Sequence, residues 1–184
     1  MMEKPRYVAL CGAPESGKTT LGNIIVNDFG ARFVDDGFCL RSGVASIFSI
    51  PLSDFYDIER KKDEVVVCGK TYTKRQLLGD LGNLLEGYYG DQIMPELALA
   101  SLEDDPGVPF YVFGSVRKNQ GLTYRNNGII IEVKRDGKIP VNDFDHYDES
   151  LVDYKIYNNG SLEELRRSAH TILSAWFSPC SDFS

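Results

Sequence analysis

The chain has 184 residues, of which 42% are hydrophobic and 11% aromatic, and its formal net charge is −7. This length and apolar content predict one domain with a real core and exclude a disordered chain. The acidic balance argues against a broad nucleic-acid-binding face, because phosphate backbones need clustered Lys and Arg. It leaves room for one small anionic ligand, since a local site can be basic on an acidic protein.

The first apolar run, Tyr7–Cys11, is short and is followed by a charged loop, so it does not resemble a signal peptide. No stretch of 18 apolar residues is present that would predict a membrane span. The four cysteines form no Cys-x-x-Cys pair, which argues against a zinc site and favours free thiols in a reducing compartment. They are Cys11, Cys39, Cys68 and Cys180. We therefore expect a cytoplasmic protein with neither membrane nor nucleic acid as a partner.

The first third of the chain alternates between strand and helix patterns. Tyr7–Cys11 predicts a buried strand, and residues 18–29 have apolar side chains at helical spacing. Gly30 ends that helix, and Arg32–Asp35 follows as a second short strand. A further helix is predicted at 38–48, although a glycine and scattered serines weaken the pattern.

The middle of the chain is predicted to be mostly helical. Residues 51–74 have the composition of a loop-rich excursion with one short apolar run. The leucines that follow, together with Tyr88, mark an amphipathic helix. A second helix is expected at 91–102, and the chain breaks at 104–107.

The last part returns to strands. Pro109–Phe113 and Gly128–Val133 are apolar runs typical of central parallel strands, and Tyr154–Tyr157 is a third candidate. Ser161 and Glu164 form a capping-box pattern at the start of the final helix. The alternation predicts a three-layer α/β/α fold with a mostly parallel sheet, in one domain spanning residues 1–184.

The most specific motif follows the first strand. The segment Gly12-Ala-Pro-Glu-Ser-Gly-Lys-Thr19 fits the P-loop pattern G-x-x-x-x-G-K-[ST] without gaps, with a strand before it and a helix after it. Glycines let backbone N–H groups approach phosphate oxygens, and the helix N-terminus attracts the anion. Lys18 adds charge at the β- and γ-phosphates, and the Thr19 hydroxyl can bind Mg²⁺. The predicted ATP-binding residues are Gly12, Ala13, Pro14, Glu15, Ser16, Gly17, Lys18, Thr19 and Thr20.

Other P-loop classes carry motifs that this sequence lacks. The Asn-Lys-x-Asp and Asp-x-x-Gly motifs of GTPases are absent from suitable places, and the strand at 109–113 ends in Gly114 and Ser115 instead of an acid. A small kinase can use another carboxylate to organise the metal, and Asp35 and Asp36 follow the second predicted strand. A solvated turn explains this Asp pair equally well.

Phosphoryl transfer also needs cations around the transferred group, and the planar guanidinium of Arg suits its oxygens. Arg117 and Arg135 follow predicted strands, where an α/β fold builds its site, and Arg75 begins the strongest helix. Arg117 is favoured most by its position. Arg41 and Arg60 are further candidates, although most surface arginines are only solvated.

In several ordered segments the chain resembles the bacteriophage deoxynucleoside monophosphate kinases, within the P-loop nucleoside monophosphate kinase superfamily. Tyr72–Asn83 is similar to the family's Arg-x-Leu-x-Gln-x-x-Gly-Thr helix, and Val116–Gln120 to its Asp-x-Arg-x-x-x-Glu motif. The other matching segments are the P-loop, Gly90–Ile93, Ile131–Arg135, His146–Glu149, Asp153 and Asn158–Leu165. Together they cover most of the chain.

The resemblance implies Mg·ATP as phosphate donor and a deoxynucleoside monophosphate as acceptor. It makes Lys18, Arg75 and Arg117 the catalytic residues and places Arg135 near the donor. The predicted acceptor-side residues are Asp36, Phe38, Arg41, Arg60, Arg75 and Arg117. Segments around 38–90 and 134–150 are expected to bind the acceptor or to close over the site, with small roles for His146 and Glu149. Asp35 or Asp36 is expected to reach the metal through water, and a homodimer is left open.

The sequence departs from the family pattern at Ser115, where an acid is usual, and at Gln120, where Glu is usual. Asp80 stands where the family has Gln, and an arginine usually present after the Gly-Thr pair is missing. These departures leave two alternatives open. One is a P-loop kinase for another small metabolite, such as a sugar acid or dephospho-coenzyme A. The other is a nucleotide-binding module without catalysis.

Overall fold

The computed structural model describes residues 6–57, 59–102, 105, 107–140 and 145–177. Cys180, residues 141–144 of the segment 134–150, and two residues of the predicted break at 104–107 lie outside these ranges. The elements in chain order are β1 (Tyr7–Cys11), α1 (Lys18–Phe29), β2 (Arg32–Val34), α2 (Phe38–Phe48), β3 (Glu64–Val67), β4 (Lys70–Thr73), α3 (Lys74–Tyr89), α4 (Ile93–Ala100), β5 (Tyr111–Phe113), α5 (Gly121–Arg125), β6 (Gly128–Lys134), β7 (Tyr154–Tyr157) and α6 (Leu162–Phe177).

The chain forms two compact units, which we call the sheet unit (Met1–Val34 and Asp104–Ser184) and the insert unit (Asp35–Glu103). The sheet unit contains a five-stranded sheet with the order β2-β5-β1-β6-β7. Every neighbouring pair in it is parallel. The predicted α/β fold with a parallel central sheet is therefore confirmed, while the assignment of the whole chain to one domain stays a prediction.

The sheet unit is held together by apolar side chains that alternate along its central strands. Val8 and Leu10 of β1 belong to one buried cluster with Ile129, Ile131 and Val133 of β6. The same cluster includes Leu21, Ile24 and Ile25 of α1 and Leu165, Ala169 and Leu173 of α6. Residues between these positions face the other side, where Tyr124 of α5 packs on Tyr7 and Phe113. Helices therefore cover both faces, because each strand has apolar residues on both sides.

The predicted strands and helices differ from the observed ones mainly at their ends. The second helix of the middle region is shorter than expected, at Ile93–Ala100, and β5 begins two residues after Pro109. The capping box of α6 is confirmed, because the Ser161 N–H donates to Glu164 at 2.7 Å and the Glu164 N–H donates to Ser161 Oγ at 3.3 Å. The short helix α5 was not predicted, since five residues give too little periodicity.

The insert unit has more regular structure than its sequence predicts. Residues 51–74 contain two 3₁₀ turns, Leu52–Phe55 and Arg60–Lys62, and the antiparallel hairpin β3–β4. Val44, Ile50, Phe55 and Leu77 form its buried cluster. A second capping box starts α3, where the Thr73 and Gln76 side chains each bond the backbone N–H of the other. Leu84 and Tyr88, which helped to predict α3, are exposed.

A buried ion pair joins two elements of the insert unit. The Lys74 ammonium lies 2.7 Å from one oxygen of Asp54, and the Arg60 guanidinium lies 2.9 Å from the other. Asp63 lies 3.2 Å from the same ammonium. The hydrogen bond from Lys74, followed by the one from Arg60, lowers the pKa of Asp54 below its ordinary value. Asp54 therefore stabilises the fold in its charged form.

We expect this pair to steepen the acid denaturation of the protein. A carboxyl with a lowered pKa in the folded state contributes stability above its unfolded pKa and loses it as the pH falls through the folded pKa, here below about pH 4. In urea titrations from neutral to acidic pH, Asp54→Asn should be less stable than wild type at neutral pH and should approach it on acidification. Glu64→Gln, which changes an exposed carboxylate on the hairpin, serves as the control. A constant gap across the pH range would contradict the assignment.

Within the described residues, no helix has the length and apolar content needed to cross a membrane.

Candidate functional site

The P-loop joins the carboxyl end of β1 to the start of α1. Gly12 has a φ of +139° and Gly17 a φ of +109°, values that side chains rarely tolerate. A Cβ on Gly12 would collide with the backbone carbonyl oxygen of Val133, and one on Gly17 would collide with the side-chain amide of Asn158. Gly12 is therefore required by backbone angle and by space, and Gly17 by its backbone angle, since the Asn158 amide is the end of a side chain that can rotate.

The end of the loop leaves the start of α1 without a side-chain cap. Gly17 is the N-cap residue and has no side chain that could cap the helix. The loop closes on itself through a hydrogen bond from the Ser16 N–H to the Ala13 carbonyl, at 3.2 Å. Uncapped N–H groups and the positive end of the helix dipole favour an anion at this position.

Lys18 lies over the loop. Its ammonium donates to the carbonyl oxygens of Gly12 at 2.6 Å and Ala13 at 2.8 Å. Thr19 and Thr20 are exposed in the first turn of α1, and Pro14 is half-buried. The motif residues predicted from sequence thus lie together around one concave backbone segment, with a cation at its rim.

A cavity of about 380 Å³ opens beside the loop. Its wall includes Ala13 of the P-loop and the chain that follows β6, and the predicted residues Arg135, His146 and Glu149 lie in it. The full lining is Ala13, Val133, Lys134, Arg135, Asp136, Gly137, Lys138, Pro140, His146, Tyr147, Glu149 and Tyr157. Because its cations lie next to a phosphate-binding loop, the cavity suits the rest of a phosphorylated ligand.

Two contacts connect the P-loop to the segments that follow β6 and β7. The exposed Glu15, with a φ of +60°, forms an ion pair with Lys138, and the hydrogen bond from Lys138 lowers the pKa of Glu15. The side-chain amide of Asn158 donates to the Ser16 carbonyl at 2.8 Å. The roles of Lys138 and Asn158 were not predicted, because Lys138 lies in no recognised motif and Asn158 lies in a matching segment to which no role was assigned.

A fully buried carboxylate lies next to the end of β1. Glu132 of β6 pairs in register with Cys11 and is 0% exposed. The Tyr147 hydroxyl donates to it, and the Lys134 and Lys155 ammonium groups lie 3.3 and 3.2 Å away. Burial, then the charge of Glu132, raises the pKa of the Cys11 thiol to about 12.

The sequence contains a signal for this cluster. Glu132 is an acid inside the otherwise apolar strand from Ile129 to Val133, and a charge at such a position needs partners. Glu149 extends the network, with the Lys155 ammonium at 3.0 Å and that of Lys134 at 3.6 Å. The hydrogen bond from Lys155, followed by the charge of Lys134, lowers the pKa of Glu149.

Arg117 lies in a tight turn after β5. The buried Gln120 closes this turn, because its side-chain oxygen accepts from the Arg117 N–H at 3.2 Å and its own N–H donates to the Arg117 carbonyl at 2.9 Å. An amide oxygen accepts such a bond as a carboxylate would. The Arg117 side chain is exposed, and Ser115 before it is half-buried.

In the insert unit, Asp35 is already engaged by neighbours. Arg41 forms an ion pair with it, and the Tyr56 hydroxyl donates to its second oxygen at 2.7 Å. The Arg41 guanidinium also lies 4.9 Å from the centre of the Tyr56 ring. Asp36 is the other half of the predicted pair and is half-buried. Asp35 is therefore the ion-pair partner of Arg41 within the unit.

The other acceptor-side predictions also lie in the insert unit. Arg60 is paired with Asp54, as described above, while Arg75 and Phe38 are exposed. Phe55 of the same unit is fully buried in its core. The acceptor roles of the remaining residues stay predictions.

The residues fit a metal that arrives with phosphate groups. In the part of the chain that the structure describes, no group of three or more His, Cys, Asp and Glu could hold a metal ion by itself. Mg²⁺ is commonly held by one or two protein oxygens plus substrate phosphates and water. The hydroxyl of Thr19 is exposed in the first turn of α1, next to the P-loop, and can serve as one such protein oxygen.

Several solved structures align over most of this chain. TT1252 from Thermus thermophilus aligns with a TM-score of 0.50 and 16% identity, over 94% of this chain and 98% of that one. Dephospho-CoA kinase from Campylobacter jejuni aligns at 0.47 and 12%, over 93% and 97%. The APS kinase CysC of Mycobacterium tuberculosis, as a Cys556Ala mutant, aligns at 0.45 and 13%, over 93% and 98%. At these identities the likeness concerns the fold. No protein-family model matches the chain, and no curated protein sequence does.

Proposed function

We propose that the chain is a kinase that transfers the γ-phosphoryl group of Mg·ATP to a small acceptor, and that this acceptor is a deoxynucleoside monophosphate. The observation that carries the proposal is the P-loop itself. It has two glycines whose backbone angles disfavour a side chain, an uncapped helix N-terminus and the Lys18 ammonium at the rim. Together these features support binding of a nucleoside triphosphate by its phosphates.

The proposed chemistry requires positioning and charge more than proton transfer. An acceptor phosphate oxygen attacks the γ-phosphorus, and the bond from that phosphorus to the β–γ bridging oxygen breaks, so ADP leaves. The nucleophile is already anionic, so no strong general base is required. Lys18 and the N–H groups of the loop stabilise the charge on the phosphate oxygens. Mg²⁺, held with the help of Thr19, would neutralise further charge when bound.

The acceptor class rests on the resemblance to the bacteriophage deoxynucleoside monophosphate kinases. Arg117 supports it, because an exposed guanidinium in a turn fixed by Gln120 can bind a phosphate oxygen pair. A cytoplasmic site of action remains part of the proposal, and a homodimer is left open. The alternatives are a kinase for another small metabolite and a nucleotide-binding module without catalysis.

The test is ADP production from Mg·ATP with each deoxynucleoside and ribonucleoside monophosphate in turn. We expect turnover that depends on the acceptor, appears with at least one deoxynucleoside monophosphate, and yields the matching diphosphate. The reaction without acceptor measures background hydrolysis, and sugar acids and dephospho-coenzyme A are included as competing acceptors. Turnover only with a competing acceptor would overturn the nucleotide assignment. ATP binding without turnover on any acceptor would instead favour the non-catalytic module.

A further inference from the structure

The carboxylate of Glu132 is buried beside Cys11, the residue that directly precedes the P-loop. A buried charge is costly unless it is paired and hydrogen-bonded. Its close side-chain partners among the described residues are Lys134 at the end of β6, Tyr147 in the chain that follows, and Lys155 of β7. The cluster therefore connects the end of β6 to the segment that forms the cavity wall.

That segment also contacts the P-loop and the Arg117 turn. Lys138 forms the ion pair with Glu15 of the loop. On either side of Tyr147, the Lys118 N–H donates to the His146 carbonyl at 2.7 Å, and the Asp148 N–H donates to the Lys118 carbonyl at 2.9 Å. These two backbone bonds hold residues 146–148 against Lys118. Between them, the Tyr147 side chain extends to the buried carboxylate of Glu132.

We propose that Glu132 is a positioning residue for nucleotide binding, whose buried carboxylate holds the described parts of the cavity wall, residues 134–140 and 145–149, beside the P-loop through the Tyr147 hydroxyl. The inference rests on the proposed nucleotide site and assigns to it a residue that contacts no substrate. Glu149 and the two lysines orient the same wall, because Lys134 and Lys155 each contact both carboxylates.

Tyr147 is the residue at which the contact with Glu132 can be removed most selectively. Burial, then its hydrogen bond to Glu132, raises the pKa of the Tyr147 hydroxyl, so it remains a donor at all physiological pH values. Phenylalanine keeps the ring and removes only that donor. A hydrogen bond to a charged group is worth enough that its loss should weaken Mg·ATP binding by roughly tenfold.

Cys11 provides a readout that does not require activity. Its thiol is 1% exposed at the end of β1, and Cys11 pairs in register with Glu132. If the wall moves away from Glu132, water and thiol reagents reach Cys11 more often. Labelling of this cysteine, measured on its own peptide by mass spectrometry, therefore reports on the contact separately from the other cysteines.

The experiment compares wild type with Tyr147→Phe, Glu132→Ala and the double variant. Affinity for Mg·ATP is measured by calorimetry, Cys11 labelling is followed without nucleotide, and thermal unfolding monitors the fold. Tyr154→Phe is the matched control, because its hydroxyl lies in β7 outside the cavity lining. We expect weaker binding and faster labelling in Tyr147→Phe, and no further loss in the double variant relative to Glu132→Ala.

The outcomes separate the two proposals. Unchanged affinity and labelling in Tyr147→Phe would overturn the positioning role. So would weaker binding with unchanged labelling, since Tyr147 would then act by touching the nucleotide itself. If the wild type binds no Mg·ATP while Tyr147→Phe speeds Cys11 labelling, the proposed function fails. The contact between Tyr147 and Glu132 would still be shown to hold the wall over Cys11. These conclusions do not depend on whether Glu132→Ala folds, because each of them follows from the measurements on Tyr147→Phe alone.

Discussion

Replacing Lys18 with alanine should reduce the turnover number of the proposed kinase by roughly a thousandfold, the scale of losing a dominant transition-state charge. The Lys18 ammonium bonds to two carbonyl oxygens of the loop, so it is held within reach of the phosphates that the loop would cradle. Charge grows on the equatorial and bridging oxygens as the phosphoryl group transfers. The lysine therefore stabilises the transition state more than the bound substrate.

The measurement is steady-state kinetics with the best acceptor from the screen, beside thermal unfolding of both chains. Lys70→Ala, which removes an exposed lysine from the β3–β4 hairpin, is the matched control and should leave turnover unchanged. Lys18→Arg separates charge from shape, since it retains the cation but not the compact ammonium. A Lys18→Ala variant that folds and turns over at the wild-type rate would sink the assignment of the phosphate site to this loop.

Gly12→Ala should lower the free energy of unfolding by roughly 2–4 kcal/mol, from backbone strain at positive φ together with overpacking. The new Cβ would press on the Val133 carbonyl oxygen, which is backbone in the middle of the sheet and cannot rotate away. Because Val133 also lines the cavity, nucleotide binding should weaken at the same time.

Gly30→Ala is the control for this substitution. Gly30 ends α1 with a φ of +69°, but nothing lies within 4 Å of a Cβ placed there. The control therefore has only the left-handed backbone cost of about 1 kcal/mol. Urea unfolding measures both variants on one scale. Equal losses for the two glycines would mean that the contact with Val133 relaxes, and that only the backbone angle matters.

The sequence predicts the phosphate loop well because all its determinants are local. The strand, the glycines, the lysine and the following helix occupy residues 7–29 without interruption. The insert unit was predicted less well, since its hairpin and its Asp54–Lys74 pair depend on partners distant in sequence. Residues such as Tyr147 and Lys138 become part of the site only through tertiary contacts, which no pattern in a single sequence encodes. The residues that would bind the acceptor also depend on tertiary contacts, so the sequence alone does not identify them.

The position of β1 in the sheet has a consequence for the order in which the protein is made. Tyr7 pairs with Tyr111 on one side and with Gly128 on the other, so the central strand waits for neighbours synthesised about a hundred residues later. Pairing over such separations is slow, because the chain must close a long loop before the contacts form. The P-loop thus leaves the ribosome before the two strands that complete the sheet around β1. Under the proposed function, ATP would therefore stabilise the finished protein but would not guide the folding of the emerging chain.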